Sequence, residues 1–307
     1  MLFADGAGRE AHPVTLVSMR MRAALIALAV LLTGCGAREA STTTTTTPRS
    51  KPVPAGLAVG VVGPLEVSVP GTHEVRGTLK QVAGSPLVVV SASRAAAAPV
   101  AGVAAPPPDS HFVLVGAPTT GFRRDNLVGV VFENEDAARL GGVVAALVAS
   151  DEGGTDARIA WVGPEERKLL SAFTRGARES SAGVTVLHAW STRTPAACKE
   201  AALAAVERGA VVVMAHGGPC AAAAIAGANE QNHAGLQVSD FELPSVAAEV
   251  VARDAVAGAF RGKEDLVFGL TSGAIGVNRL DPRIPQTTAL RARTAAQQLA
   301  NGLRPTG

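Results

Sequence analysis

Short runs of apolar residues recur along the chain from residue 57 onward. The runs are continuously apolar rather than alternating with polar residues, which is typical of strands in a parallel sheet that helices cover on both faces. The predicted strands span residues 57–62, 87–90, 112–115, 127–132, 158–162, 184–189, 211–215 and 236–238.

Alanine-rich segments with apolar residues at helical spacing lie between most of these runs. One of them has Pro195 at its start, Thr194 as the N-cap before it and Gly209 after its end, which is the usual asymmetry of helix termini. Strands and helices that alternate in this way predict an α/β fold with parallel sheets and right-handed crossovers. The predicted helices span residues 136–150, 165–180, 195–208, 220–232 and 247–260.

Two segments interrupt the alternation in the first third of the globular part. Residues 67–83 have room for a helix and a strand, but Pro70, Gly71 and Gly77 interrupt both patterns. Residues 95–108 end in three consecutive prolines, which predicts a short helix followed by an extended stop. The sequence therefore predicts a reduced first part that lacks one strand–helix unit.

The first 35 residues have the form of an export signal that ends in a lipid attachment site. Arg20 and Arg22 precede an unbroken apolar run at 23–32. This run is shorter than the roughly 18–20 apolar residues that a transmembrane helix needs. The tetrapeptide LTGC at 32–35 resembles a bacterial lipobox, which implies that Cys35 is diacylated and becomes the new N-terminus. The alternative is an export signal with an incidental cysteine.

Residues 36–55 follow as a flexible tether that is rich in Thr, Pro and Ser. Such a segment cannot bury enough apolar surface to offset the entropy lost on ordering it. Two acyl chains on Cys35 make a stable membrane anchor, whereas one chain binds only reversibly. We therefore predict a protein held by lipid on the extracytoplasmic face of the cell membrane, with its globular body after the tether.

Composition and charge exclude some classes of partner. The formal net charge is +2 at pH 7 and no basic block is present, so nucleic acid is not an expected partner. Outside the cell, Cys198 and Cys220 can form a disulfide, and the alternative is two separate buried thiols. Their spacing fits no zinc motif, and the sequence predicts neither a metal site nor a cofactor.

From Asn126 onward the chain resembles the basic membrane protein (BMP) family, the lipid-anchored substrate-binding proteins of ABC importers that include purine-nucleoside receptors. The resemblance rests on sequence blocks that occur in the order expected for the family. These blocks are NLVGVVF at 126–132, IAWVG at 159–163, residues 201–206, GAVV at 209–212, GG at 217–218, VSD at 238–240 and residues 258–276.

This resemblance implies a two-lobe α/β fold of the type I periplasmic-binding-protein kind, with a three-stranded hinge and a reduced N-terminal lobe. It implies a small solute between the lobes, with a nucleoside as one candidate, and an ABC permease as partner. Residues 56–133 plus 247–265 are predicted to form the N-terminal lobe and residues 134–246 plus 266–286 the C-terminal lobe. A C-terminal helix and tail follow at 287–307.

Ligand contacts are expected beyond the carboxyl ends of the parallel strands. The glycines that follow His216 open a helix and allow close approach of a ligand to the backbone, and the alternative is a tight turn without a ligand. Asp240 ends the next strand and either binds solute hydroxyls or caps the following turn. Together with the family blocks, this predicts the ligand residues Phe132, His216, Gly217, Gly218, Ser239 and Asp240.

Residues 63–67 differ from the family, which has a loop rich in Asp, Ser, Phe and Asn at this place, and Phe122 is the one aromatic candidate nearby. The predicted reduction of the first lobe favours an alternative function, a degenerate, non-transporting BMP-like lipoprotein that serves as a protein-interaction module. Acid–base pairs can be assembled from the residues His188, His216, Asp240 and Glu242, but the sequence has no GxSxG, HExxH or P-loop motif. The chain is therefore not predicted to be an enzyme.

Overall fold

Ten strands form two parallel sheets in the described part of the chain. The computed structural model describes residues 56, 58–91, 96–105, 109–154, 156–191 and 194–305, so the predicted signal, Cys35 and the tether lie outside the described residues. The strands are β1 Ala58–Val62, β2 His73–Arg76, β3 Leu87–Ser91, β4 His111–Val115, β5 Leu127–Phe132, β6 Arg158–Gly163, β7 Thr185–Trp190, β8 Ala210–Ala215, β9 Ala234–Gln237 and β10 Asp265–Phe268.

The helices follow the strands as the alternation predicts. They are α1 Leu79–Val82, α2 Ala97–Val103, α3 Asn134–Gly153, α4 Arg167–Ser180, α5 Pro195–Glu207, α6 Pro219–Glu230, α7 Pro244–Val256 and α8 Gln286–Ala300. The predicted N-cap of α5 is confirmed, because the Thr194 hydroxyl accepts a hydrogen bond from the Ala197 backbone N–H at 3.1 Å. Gly209, with a φ of 89°, ends the turn after the same helix.

Each sheet defines one lobe. The first sheet has the strand order β10-β5-β4-β3-β1-β2 and the second has the order β7-β6-β8-β9, with all neighbours parallel. Strand β10 pairs with β5 through Phe268 opposite Phe132, so the first lobe takes in residues up to 268, beyond the predicted limit at 265. The chain therefore crosses between the lobes three times.

Helices cover both faces of each sheet, and the apolar strands pack between them. In the first lobe, α7 buries alanines such as Ala247 against one face, and α2 packs on the opposite face through Val100 and Ala101. In the second lobe, α3, α4 and α8 share one core, while α5 and α6 form another. Each fully buried valine or leucine contributes roughly 1.5–3 kcal/mol of hydrophobic stabilisation.

The predicted reduction of the first lobe needs a correction, because this lobe lacks helix rather than strand. Its sheet has six strands and the second sheet has four. However, β1 and β2 are joined by an extended segment, although parallel neighbours are usually joined by a helix. Leu65, Val67 and Val69 alternate with exposed residues along this segment and pack into the same core as α7.

Side chains of α7 hold the extended segment in place. The Ser245 hydroxyl accepts a hydrogen bond from the Glu66 backbone N–H at 3.0 Å, and the Glu249 carboxylate accepts one from Ser68 N–H at 3.3 Å. Among the described residues, no helix has both the length and the apolar sequence that a membrane crossing requires.

Candidate functional site

The predicted turn at the end of β8 lies close to the end of β6. His216, Gly217 and Gly218 lead from β8 into α6, and the two glycines have φ angles of 104° and 58°. A Cβ atom on Gly163, the last residue of β6, would lie 2.8 Å from the His216 carbonyl oxygen. Glycine is required here because two strand ends approach each other through their backbones.

The His216 ring is held between the second-lobe core and the loop after β6. It stacks on the Trp161 indole with the ring centroids 6.2 Å apart, and its Nε2 lies 3.6 Å from Glu166 Oε1. Trp161 is completely buried, and its indole N–H has no hydrogen-bond acceptor within the described residues. A buried donor without an acceptor is costly, so this indole is a point at which the core is unsatisfied.

A cavity of about 360 Å³ opens beside Glu166, at the first crossover between the lobes. Phe132 at the end of β5 packs against the main cores of both lobes and forms part of the cavity wall. The remaining wall residues come from the starts of α3 and α4 and from the residue that precedes each of these helices. They are Glu133, Asn134, Glu135, Glu166, Arg167, Lys168 and Leu169.

Three helices begin at this end of the second lobe without a side-chain cap. Glu133 precedes α3, Glu166 precedes α4 and Gly218 precedes α6, and none of these N-caps makes a side-chain hydrogen bond to its helix. The first N–H groups of a helix have no partner within the helix and attract acceptor oxygens. The starts of α3 and α4 both line the cavity, so these N–H groups are available to a ligand.

Backbone hydrogen bonds join the three crossovers into one hinge. Glu133 N–H donates to the Phe268 carbonyl at 2.8 Å, and Leu243 N–H donates to the Ala274 carbonyl at 2.9 Å. The Asp136 carboxylate also accepts a hydrogen bond from Leu270 N–H at 2.9 Å. The cavity therefore lies directly on the segments about which the lobes would rotate.

Of the six predicted ligand residues, Phe132 is the one in the cavity wall. The turn at 216–218 reaches the wall residue Glu166 through His216, and the remaining two predicted residues lie on the second crossover. Ser239 and Asp240 are part of a 3₁₀ turn at Val238–Phe241. The Asp240 carboxylate accepts hydrogen bonds from the backbone N–H and the side-chain amide of Gln237, at 2.9 and 3.1 Å. Burial raises the pKa of Asp240, although these hydrogen bonds oppose the rise. The Asp240 carboxylate therefore makes the capping contacts of this turn, and ligand binding by Asp240 stays a prediction.

Chains of known structure have the same architecture. An ABC transporter solute-binding protein from Conexibacter woesei is 18% identical, aligns over 80% of this chain and 97% of its own length, and gives a TM-score of 0.53. A transcriptional activator of the comK gene from Bacillus halodurans is 14% identical, aligns over 81% of this chain and all of its own, and gives a TM-score of 0.51. The fold is the type I periplasmic-binding fold.

The likeness is one of fold, because both identities are low and the two proteins have different roles. No family model matches the sequence, and no curated protein matches it. The predicted α/β architecture with parallel sheets and two lobes is confirmed. The comparisons therefore give the fold, and the chemistry of the site bears on the function.

Glu242 is a candidate residue of the periplasmic-binding hinge that the sequence prediction did not place at the site. Its backbone forms an antiparallel bridge with Ile275 between the second and third crossovers. Burial raises the pKa of its carboxyl, and no side-chain hydrogen bond of this carboxyl occurs among the described residues. In the sequence, Glu242 is only an acidic residue two positions after Asp240. The fold is needed to show that it lies at the hinge.

Glu242→Gln is expected to raise the unfolding temperature at pH 7. A folded-state pKa above the unfolded value means that the protonated form is favoured by folding, so this carboxyl destabilises the fold as the pH rises through its folded-state pKa. The difference between variant and parent should disappear below the unfolded pKa of about 4.3. Thermal unfolding over a pH series measures this, with exposed Glu264→Gln as the charge-matched control. A pH-independent difference would contradict the prediction.

The structure joins Cys198 and Cys220 in a disulfide, with the Cα atoms 5.3 Å apart. Both residues pack in the core formed by α5 and α6. Cys198 lies in the first turns of α5, and Cys220 follows Gly218 at the start of α6. The bond therefore ties the helix that begins at the glycine turn to its neighbour.

Proposed function

We propose that the chain is an extracytoplasmic, lipid-anchored solute-binding protein of an ABC importer that closes its two lobes on a small solute. The observation that carries the proposal is the cavity at the hinge, because it combines Phe132, three carboxylates and two uncapped helix starts. A cavity that lies on the crossovers changes its shape when the lobes rotate, which is how hinge proteins enclose a ligand.

The cavity chemistry suits a solute with hydroxyl groups and a planar ring. Glu133, Glu135 and Glu166 supply acceptors for hydroxyl protons, and the helix N–H groups supply donors for hydroxyl oxygens. Phe132 supplies an aromatic ring against which a flat base can stack. A nucleoside has both parts, and together with the resemblance to the BMP family this makes nucleosides the first solutes to examine.

The proposal includes the anchor at Cys35 and an ABC permease as the partner of the loaded protein. The support for the anchor is the lipobox sequence, and the support for the permease is the fold that the chain shares with a transporter solute-binding protein. Mass spectrometry of the mature N-terminus tests the anchor, and an unmodified Cys35 would contradict it.

Solute binding is expected to raise the unfolding temperature of the body at residues 51–307. At a hundredfold excess of solute over its dissociation constant, the gain in stability is about 2.7 kcal/mol, which corresponds to a rise of roughly 5–10 °C for a domain of this size. We would screen nucleosides, pentoses, hexoses and amino acids by thermal unfolding and then measure affinity by calorimetry.

Substitutions at Phe132, in the cavity wall, and at His216, whose ring lies beside the wall residue Glu166, locate the solute. His216→Gln and Phe132→Leu should each weaken binding roughly tenfold, because they remove the stacked ring or the aromatic face while keeping most of the volume. His73→Ala is the matched control, since this histidine is exposed on β2 at the far edge of the first sheet. Equal losses in all three variants would contradict the proposed site.

A panel that gives no binding would favour the degenerate interaction module instead. The extended segment between β1 and β2 is the observation that supports this alternative, because it leaves the first lobe without a helix start at the end of β1. In that case, capture from membranes should return a protein other than an ABC permease.

A further inference from the structure

A second cavity, of about 790 Å³, lies in the second lobe and adjoins the hinge cavity at Arg167. Helix α4 forms one wall and the edge strand β7 forms the other, while Arg304, which follows α8, closes one end. Strand β7 pairs only with β6, so one side of its backbone has no strand neighbour in the described sheet. We refer to this cavity as the α4–β7 groove.

Unpaired positive charge is concentrated in the α4–β7 groove. Arg175, Arg178 and Arg304 line it and make no ion pair with any residue that the structure describes. The one carboxylate in the lining, Glu179, is already bound by Arg139 through two hydrogen bonds of 2.9 and 3.1 Å. Since the whole chain has a formal charge of only +2, this local excess is a property of the groove.

Aromatic and hydroxyl groups lie beside the arginines. His188 and Trp190 alternate along β7 on the side of α4, with their ring centroids 5.1 Å apart, and Trp190 is 37% exposed. Ser171 and Thr174 add hydroxyl groups from α4. An exposed indole that faces a polar groove can stack on the C–H face of a sugar ring, and the hydroxyls can bind its hydroxyl groups.

We infer that the α4–β7 groove binds an anionic oligosaccharide, with sugar rings on Trp190 and carboxylate or similar groups on Arg175, Arg178 and Arg304. Arginine matches such groups in a bidentate geometry. The volume of the groove also falls within the roughly 300–1,000 Å³ of pockets that bind drug-sized molecules. Arg167 lines both this groove and the hinge cavity, but the arginines and the tryptophan named here do not line the hinge cavity.

Trp190 provides a direct signal for the test. The chain has two tryptophans, and Trp161 is completely buried. Quenching of the tryptophan fluorescence by an added quencher should therefore report mainly on Trp190. The body at residues 51–307 would be titrated with tetragalacturonate, neutral maltotetraose, inorganic phosphate and a tetraglutamate peptide. Tetragalacturonate is expected to bind saturably, to shield Trp190 from quencher and to bind more weakly as salt increases.

Substitutions of the lining residues test whether tetragalacturonate binds in the groove. Arg175→Gln with Arg178→Gln should weaken tetragalacturonate binding by tenfold or more, since each charge-assisted contact contributes roughly that factor. Arg261→Gln with Arg293→Gln is the matched control, because both residues are exposed elsewhere and the loss of charge is the same. Trp190→Leu, measured by calorimetry, should also weaken binding, and Glu242→Gln at the hinge should leave it unchanged.

Each other outcome overturns the inference in a defined way. Equal binding of maltotetraose means that charge is not recognised, and equal binding of tetraglutamate means that the groove is a surface for acidic peptides. Equal binding of phosphate means a simple anion patch. A lack of saturable tetragalacturonate binding, or equal losses in the two arginine double variants, also rejects the site.

Discussion

Gly176→Ala is expected to destabilise the second lobe by about 3 kcal/mol, the upper end of the usual cost of overpacking. A Cβ atom on Gly176 in α4 would lie 1.9 Å from the carbonyl oxygen of Arg139 in α3. The opposing contact is equally close, because a Cβ on Gly142 would lie 2.0 Å from the Phe173 carbonyl oxygen. Both obstacles are backbone atoms, so the helices have to separate, and their shared core loses packing.

Urea unfolding followed by circular dichroism measures this loss. Gly102→Ala is the matched control, because Gly102 is exposed in α2 and a Cβ there has no neighbour within 4 Å. That variant should be as stable as the parent, or more stable by up to about 1 kcal/mol, since alanine is the better helix former. If Gly176→Ala stayed within about 1 kcal/mol of the parent, the helices would not be in the close contact described.

The strands that the sequence predicts are the ones buried on both faces. The run at 87–90 is Leu-Val-Val-Val and becomes the centre of β3, with every side chain buried. The two strands that the pattern missed are β2, with the sequence HEVR, and β10, with the sequence DLVF. They form the two edges of the first sheet, where one side of the strand faces solvent and polar residues are tolerated.

In the candidate site, too, some features can be predicted from the sequence and others cannot. The turn at His216 is predictable because it follows a buried strand, and parallel strands end at a common edge. The wall formed by Glu133 and Glu166 is not predictable in this way, because residues 33 positions apart meet only when α3 and α4 begin side by side. Asp240 has a capping partner within three residues, and the sequence pattern alone does not distinguish this role from ligand binding.

The α4–β7 groove has no sequence signal for the same physical reason. Its arginines are spread over α4 and the segment after α8, which is more than a hundred residues later in the chain. Arg175 and Arg178 taken alone predict an exposed helix face. Only the fold brings Arg304 and the β7 aromatic residues to that face, which changes a solvated surface into a possible binding site.

Removal of the disulfide is expected to cost about 3 kcal/mol of stability, because the bond closes a loop with a sequence separation of 22 and so restricts the unfolded chain. Cys198→Ala with Cys220→Ala should show this loss in urea unfolding. The loss should also weaken solute binding, since Cys220 holds the start of α6 directly after the Gly217–Gly218 turn. Calorimetry on the double variant measures that second effect.

Reductant provides the internal control for this prediction. Residues 51–307 contain Cys198 and Cys220 but not Cys35, so reductant can act on this body only through that pair. It should destabilise the parent by the same amount as the double substitution and should leave the double variant unchanged. A parent whose unfolding is insensitive to reductant, with two thiols that react once the unreduced protein is unfolded, would show that the cysteines are separate. The glycine turn would then be held by packing alone.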